Sequence, residues 1–140
     1  MADDAKDLMR RFYEAVNAGN LDVIDEVVAD DFVEHEQFPG IPPGKEGVRQ
    51  FFRVFRAAFQ DLRMEPHEML VDGDLACARI TITGTHQGDF LGISPSGSRI
   101  EIAAFDMLRL RDGLVTEHWG VTDTLTMLQQ LGAGPQQAAG

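Results

Sequence analysis

The hydrophobic residues of this chain change their spacing near residue 60, and that change constrains the fold more than any other feature. Up to Phe59 they recur at helical intervals, as Leu8, Phe12 and Val16 do. From residue 62 onwards they alternate with polar residues, which is the period of a half-buried β-strand. Helices followed by strands that are joined by tight turns are typical of an α+β domain with an antiparallel sheet.

The same spacing sets the order of the elements. It predicts three helices and then four strands, at residues 62–71, 75–88, 98–110 and 114–121, with a short helix after the last strand. The segment FVEHEQFPGIPPG, between the second and third helices, is predicted to be a loop because it contains three prolines and two glycines. We expect the sheet to curl around the helices and leave a cavity. Residues 1–132 form a single predicted domain, and residues 133–140 a flexible tail.

Composition excludes several classes of function. The formal net charge is −11, with 23 acidic against 12 basic residues, which argues against a nucleic-acid partner. No apolar run approaches the roughly 20 residues of a membrane-spanning helix. The acidic, amphipathic start MADDAKDLMRRF is unlike a signal peptide, so we expect a cytoplasmic protein. Cys77 is the only cysteine, so the chain forms no internal disulfide.

Asp106 interrupts a predicted apolar strand face. In RIEIAAFDMLRL the alternation places it on the same face as Ile102, Ala104 and Leu108. A buried carboxylate is costly unless it is hydrogen-bonded, paired or protonated. Asp106 is therefore a candidate site residue. A β-bulge that shifts the alternation, or a structural hydrogen bond to a neighbouring strand, would explain it equally well.

The last strand carries a candidate residue on each face. Trp119 and Asp123 share one face and His118 lies on the other, so Trp119 and His118 cannot both enter one cavity without a bulge. If Trp119 lines the cavity, Asp123 lies beside it, and poor solvation would raise its pKa and suit it to proton transfer. The alternative is that Asp123 caps the helix that begins at Thr124.

Two further histidines are candidates. His35 lies in the loop between Glu34 and Glu36, and His86 could point into the mouth of the pocket or simply end its strand. The chain has no HxxxH, HExxH or CxxC spacing, so we expect no metal. It also lacks a phosphate-binding loop and a nucleophile elbow. General acid–base chemistry in an apolar pocket, or binding alone, remains.

Several segments together resemble the SnoaL-like polyketide cyclases of the nuclear-transport-factor-two-like superfamily. They are DFVEHEQFPG with GVRQFF, AAFQDLRM, TGTHQGDFLGISPSG and FDMLRLRDGLVTEHWGVTDTLTMLQQLG, and the likeness runs from about Leu8 to Gly132. The resemblance implies a cone of helices in the concave face of a strongly curved antiparallel sheet, with a deep internal pocket. It also implies a homodimer formed through the sheet.

The resemblance implies a chemistry as well. Characterised members close the last ring of aromatic polyketide precursors by an intramolecular aldol condensation, without a metal, a cofactor or a covalent intermediate. An aspartate serves as acid and base, and it corresponds to Asp123 here. In some relatives an acid directly follows the tryptophan, where this chain has Gly120. The resemblance places His35, Asp106, His118 and Trp119 where the family keeps pocket residues, and GTHQG with His86 is similar to a family signature. We take His35, His86, His118 and Trp119 as substrate-binding candidates and, from its place on an apolar strand face, Asp106 as a second catalytic candidate.

The leading hypothesis is therefore a cofactor-independent acid–base enzyme that cyclises a hydrophobic, carbonyl-bearing small molecule. Asp123 would abstract the proton, and Asp106 or His118 would polarise the carbonyl or orient the base. The alternatives are a non-catalytic binding or scaffold module, and a related isomerase, hydratase or hydroxylase. The fold by itself does not decide among these chemistries.

Overall fold

The computed structural model of this protein describes residues 2–133. Its elements, in chain order, are α1 (Ala2–Ala18), α2 (Val23–Val27), β1 (Val28–Glu34), α3 (Lys45–Ala58), β2 (Arg63–Asp72), β3 (Leu75–Thr85), β4 (Arg99–Arg111), β5 (Leu114–Thr122) and α4 (Thr124–Gln130). Helices precede a run of consecutive strands, so the predicted α+β class is confirmed. Most of the predicted tail, residues 134–140, lies outside the described residues.

The sheet is open, curved and mixed rather than purely antiparallel. Its strands lie in the order β1-β5-β4-β3-β2. Neighbours from β5 to β2 are antiparallel, as predicted, whereas β1 pairs with β5 in parallel. The prediction that the segment from Phe32 onwards is a loop was wrong for Phe32, Val33 and Glu34, because they belong to β1.

The core lies between the inner face of the sheet and helices α1 and α3. Alternate residues of β3 and β4 are buried, including Ile80, Ile82 and Ile102. Helix α1 contributes Met9 and helix α3 contributes Phe55, each at most 4% exposed. Burial of such side chains contributes about 1.5–3 kcal/mol each, which keeps the two helices on the concave face.

In β4 the side chains alternate between the inner and outer faces of the sheet without interruption as far as Asp106. Arg99 to Arg109 of β4 pair with β3 in a continuous antiparallel register, and the first irregularity on the β5 side falls between Arg109 and Leu110. No bulge therefore moves Asp106 off the face of Ile102 and Ala104.

The described part of the chain contains no helix long and apolar enough to cross a membrane.

Candidate active site

An apolar pocket opens between the two long helices and the inner face of the sheet. Its volume is about 380 Å³, within the range of small-molecule sites. Seven of the nine phenylalanines line it, so aromatic rings surround the space without filling it. One wall is polar, and we call it the polar wall; its residues are Tyr13, Glu34, Glu36, Asp106, His118 and Thr122.

Strand pairing brings Asp106 and His118 together on the polar wall. Asp106 lies opposite Gly120 and His118 opposite Leu108 in the antiparallel β4–β5 pair, so both side chains point inward. Asp106 Oδ1 lies 2.8 Å from His118 Nε2, and the Tyr13 hydroxyl donates to Oδ2 at 2.6 Å. Asp106 thus lines the pocket and also makes a structural hydrogen bond to a neighbouring strand.

The parallel strand β1 supplies a second carboxylate to His118. Glu34 is the register partner of His118, and its Oε1 bonds to His118 Nδ1. Burial lowers the pKa of His118, but the hydrogen bonds and charges of Asp106 and Glu34 outweigh burial and raise it to about 10. His118 is therefore an imidazolium near neutral pH, and both of its N–H groups are donated to carboxylates.

Glu36 reaches the same wall from the loop that follows β1. The Thr122 hydroxyl donates to Glu36 Oε2 at 3.1 Å, and the Glu36 backbone N–H donates to Glu34 Oε1 at 2.9 Å. Burial raises the pKa of the Glu36 carboxyl, the imidazolium of His118 opposes that rise, and the carboxylate of Asp106 adds to it. A carboxylate whose pKa is raised in this way is a stronger base than that of an exposed glutamate.

The structure places Trp119 and His35 outside the pocket, which corrects their expected positions. Trp119 lies on the outer face of β5, because strand alternation turns it away from His118. The His35 ring stacks on it with centroids 4.7 Å apart, and His35 Nε2 bonds to Glu117 at 2.8 Å. The guanidinium of Arg109 lies 5.7 Å from the Trp119 ring centroid. These residues form an outer-face cluster.

Asp123 also lies outside the pocket, so its expected position beside the cavity is corrected. It is the N-cap residue of α4, and its carboxylate accepts a hydrogen bond from the Thr126 backbone N–H at 3.1 Å. Hydrogen bonds from Thr126 hold the pKa of this exposed carboxyl below its usual range. The capping alternative therefore describes the geometry of Asp123.

His86 is buried away from the pocket. It is 0% exposed, packs on Phe59, and its Nδ1 accepts a hydrogen bond from the Ser96 backbone N–H at 3.1 Å. Its own backbone pairs with Ser98 and Gly97. His86 thus ties both ends of the segment between β3 and β4 together, so of its two expected positions the structure shows the one at the end of its strand and not the one at the pocket mouth.

Glu34, Glu36 and Tyr13 were missed as site residues. Tyr13 looks like an ordinary core residue of an amphipathic helix. The two glutamates carried a usable signal, because residues i and i+2 of an extended segment share a face. His35 stands between them and therefore points the other way. A strand prediction for this segment would have selected the glutamates rather than the histidine.

Three residues of the polar wall could also approach a metal ion. Among the described residues, Glu36, Asp106 and His118 each offer one ligand atom within 4.8 Å of the others. Binding through the imidazole would require His118 to release a proton and one carboxylate partner. The absence of a metal stays a prediction from the sequence.

Comparison with known proteins shows which family this chain belongs to. Residues 6–131 match the SnoaL-like polyketide cyclase family. The aklanonic acid methyl ester cyclase DnrD of Streptomyces peucetius is 26% identical over 90% of this chain and 89% of its own. The nogalonic acid methyl ester cyclase of Streptomyces nogalater is 28% identical, over 84% and 90% of the two chains.

A solved structure extends the match to three dimensions. TsrD from Streptomyces laurentii superposes with a TM-score of 0.87 and 32% identity, over 95% of this chain and 98% of its own. The agreement therefore covers nearly the whole fold, helices and sheet together. This chain belongs to the SnoaL-like polyketide cyclase family.

Proposed function

We propose that this protein is a cofactor-independent acid–base enzyme of the polyketide-cyclase type. The observation that carries the proposal is the polar wall, a cluster of ionisable side chains that faces an otherwise aromatic pocket. The side chains of Asp106 and His118 are only 14% and 17% exposed. Fixed charges in such a water-poor place act more strongly on a substrate than they would in water.

The substrate class follows from the lining of the pocket. Aromatic rings favour a flat, hydrophobic molecule, and the polar wall favours a carbonyl group beside an acidic C–H bond. Removal of that proton gives an enolate, whose carbon attacks a second carbonyl of the same molecule and closes a ring. His118, held between Asp106 and Glu34, supplies a positive charge near the developing oxyanion.

A non-catalytic binding module is the second candidate, and one observation favours it. Both carboxylate oxygens of Asp106 already accept hydrogen bonds, from His118 and from Tyr13. A purely structural network would look the same at this position. Isomerase, hydratase or hydroxylase activity would use the same wall on a different substrate.

Turnover of a named compound distinguishes the candidates. Aklanonic acid methyl ester and nogalonic acid methyl ester, after which the two relatives are named, would be incubated with the protein and ring closure followed by chromatography. We expect a new cyclic product, and Asp106→Asn should slow its formation roughly 10²-fold. The exposed control Asp72→Asn should not. Tight binding of both esters without any product would favour the binding module.

We also propose that the protein forms a homodimer through the outer face of the sheet. On that face, directly paired residues of β2, β3, β4 and β5 lie side by side. The face carries three large apolar side chains, Leu70, Phe105 and Val121, which are 72%, 54% and 73% exposed. Phe105 and Val121 are direct cross-strand neighbours, and adjoining exposed apolar side chains of this kind favour a contact surface.

Sedimentation velocity tests the dimer. Phe105→Asp should convert the dimer to a monomer, whereas Leu125→Asp, at an exposed position on α4, should not. A monomeric wild-type protein at micromolar concentration would contradict the proposal. Cytoplasmic location stays an expectation from the sequence.

A further inference from the structure

Glu36 differs from Asp106 in having an unused oxygen on the polar wall. Its Oε2 accepts from Thr122, but within residues 2–133 no hydrogen bond reaches its Oε1. Asp106 has no such oxygen, because His118 and Tyr13 occupy both. Glu34 Oε2 also receives no hydrogen bond within the described residues, but Glu34 Oε1 is bound by both His118 and the Glu36 backbone N–H, so Glu34 holds His118 in place. Of these three carboxyl groups, Glu36 is the one that makes no hydrogen bond to His118 in the described part of the chain. Glu36 is therefore the carboxyl group of the wall that is best placed to take up a proton.

Gly120 provides the space that Glu36 occupies. A Cβ atom at position 120 would lie 2.4 Å from Glu36 Oε1 and 2.8 Å from His118 Cε1. Its backbone does not have a positive φ angle, so the conformation of the chain does not require glycine there. The missing side chain instead lets the Glu36 carboxyl lie against the His118 ring.

We propose that Glu36, seated in the space left by Gly120, is the catalytic residue that removes a proton from the substrate and returns it. This inference rests on the proposed function, because it names the group that carries the proton in that reaction. It assigns the acid–base role to a loop residue that follows β1, in place of the exposed Asp123.

The electrostatic surroundings of Glu36 support this role. Burial makes the largest contribution to the pKa of its carboxyl and raises it. The carboxylates of Asp106 on β4 and Glu34 on β1 also raise this pKa. His118 and the Thr122 hydroxyl, both on β5, lower it. The result is a carboxyl that holds its proton more firmly than an exposed glutamate. A base whose pKa approaches the working pH is the most effective one.

In the proposed reaction, Glu36 ends in the protonation state in which it began. The Glu36 carboxylate takes a proton from the carbon next to a carbonyl, and the C–H electron pair becomes the enolate. The enolate carbon then forms a bond to the second carbonyl carbon, whose C=O π bond opens to an alkoxide. The alkoxide takes the proton back from Glu36, which returns to its starting state without an oxidant or another reactant.

Deuterium exchange isolates the first step from ring closure. The probe is methyl 3-(2-naphthyl)-3-oxopropanoate, a flat aryl β-keto ester that has an acidic C–H bond and cannot cyclise. Its exchange in D₂O would be followed by NMR for the wild-type protein, Glu36→Gln and the control Glu65→Gln, an exposed glutamate of β2. Binding of the probe would be measured separately by chemical-shift titration.

We expect the wild-type protein and Glu65→Gln to accelerate exchange, and Glu36→Gln to bind the probe but lose about 10²-fold of the catalysed rate. Equal exchange by wild type and Glu36→Gln would overturn the role of Glu36 and leave the proposed function standing. Failure of the wild-type protein to bind or deuterate the probe would contradict both.

Gly120→Ala gives a second variant that keeps every carboxyl group. The added methyl group would lie 2.4 Å from the flexible end of the Glu36 side chain and 2.8 Å from the His118 ring, so we expect the Glu36 carboxyl to be displaced and the ring to shift by a smaller amount. We expect an exchange rate at least tenfold below wild type, with no additional loss when Gly120→Ala is combined with Glu36→Gln. Losses that multiply in the double variant would show that Gly120→Ala acts through His118 and not through Glu36, and would overturn the role given to the space left by Gly120.

Discussion

His118 shows how one side chain can be charged in an apolar pocket. Burial disfavours the imidazolium, yet the carboxylates of Asp106 and Glu34 bind its two ring nitrogens and reverse the effect. Neither nitrogen is left to accept a proton from a substrate. His118 is therefore better suited to stabilising negative charge than to acting as the base.

The stability of the fold should depend on this charge. The pKa of His118 is about 10 in the folded protein and about 6.5 in an unfolded chain. The stabilisation from protonation is therefore complete below about pH 6.5 and is lost as the pH rises through 10. The free-energy difference between wild type and His118→Gln, from urea unfolding, should shrink across that range. A difference that is constant from pH 6 to 10 would contradict the ion-pair arrangement, and His67→Gln serves as an exposed control.

Asp123 illustrates the opposite case, a carboxylate used by the backbone. Asp123→Ala removes the hydrogen bond that the Thr126 backbone N–H donates to this carboxylate and should lower the free energy of unfolding, because alanine is a poor N-cap residue. Asp123→Asn should restore most of it, because asparagine also caps helices well. Cyclase turnover should be unchanged in both variants when measured below their unfolding temperature. A loss of several powers of ten in Asp123→Asn would return the proton-transfer role to Asp123.

Among the structural elements, β1 is the one that the sequence did not reveal, and most of the missed site residues depend on it. The alternation within β4 was sufficient to place Asp106 on an apolar face, since that pattern is local. The partner of β1 is β5, about 84 positions later in the chain, and no local pattern encodes such a pairing. The prolines and glycines after Glu34 also made the whole segment resemble a loop. Two glutamates of the polar wall were missed for this reason.

Which face of β5 lines the pocket was also not predictable from the sequence, again because it depends on tertiary packing. Alternation alone separates His118 from Trp119, but it does not say which face is covered. In the structure β5 pairs with β4 without irregularity from Glu117 to Thr122, and the inner face is that of His118. The fold class and Asp106 were thus predictable from local patterns, whereas the assembled wall required tertiary pairing.

Helix α3 lies against the loop that forms the mouth of the pocket, and Gly47 permits this approach. A Cβ atom at position 47 would lie 1.7 Å from the Pro42 carbonyl oxygen, which belongs to the backbone and cannot rotate away. Gly47→Ala should therefore cost about 1–3 kcal/mol of stability, as overpacking does. Gly44→Ala, three residues earlier with nothing within 4 Å, meets no clash and should cost less in the same thermal unfolding experiment, since it only replaces a glycine at the N-cap of α3 by a poorer N-cap residue. Equal effects would contradict this packing.

At the scale of the whole molecule, the fold separates two environments. The inner face of the sheet and two helices create an aromatic space, and strands from both ends of the chain deliver charged groups to one of its walls. Burying those groups is costly for stability. Enzymes commonly retain such groups because shifted pKa values serve chemistry.

The pH dependence of kcat/KM for ring closure of nogalonic acid methyl ester shows whether Glu36 acts as the base. If Glu36 is the base, the wild-type profile should rise with pH through an apparent pKa above the 4.5 of an ordinary glutamate as its carboxyl group ionises beside His118, Asp106 and Glu34. Glu36→Gln should lack that rise and retain roughly 1% of the rate. A rise of the same shape and height in Glu36→Gln, or no ring closure by the wild-type protein, would contradict the account.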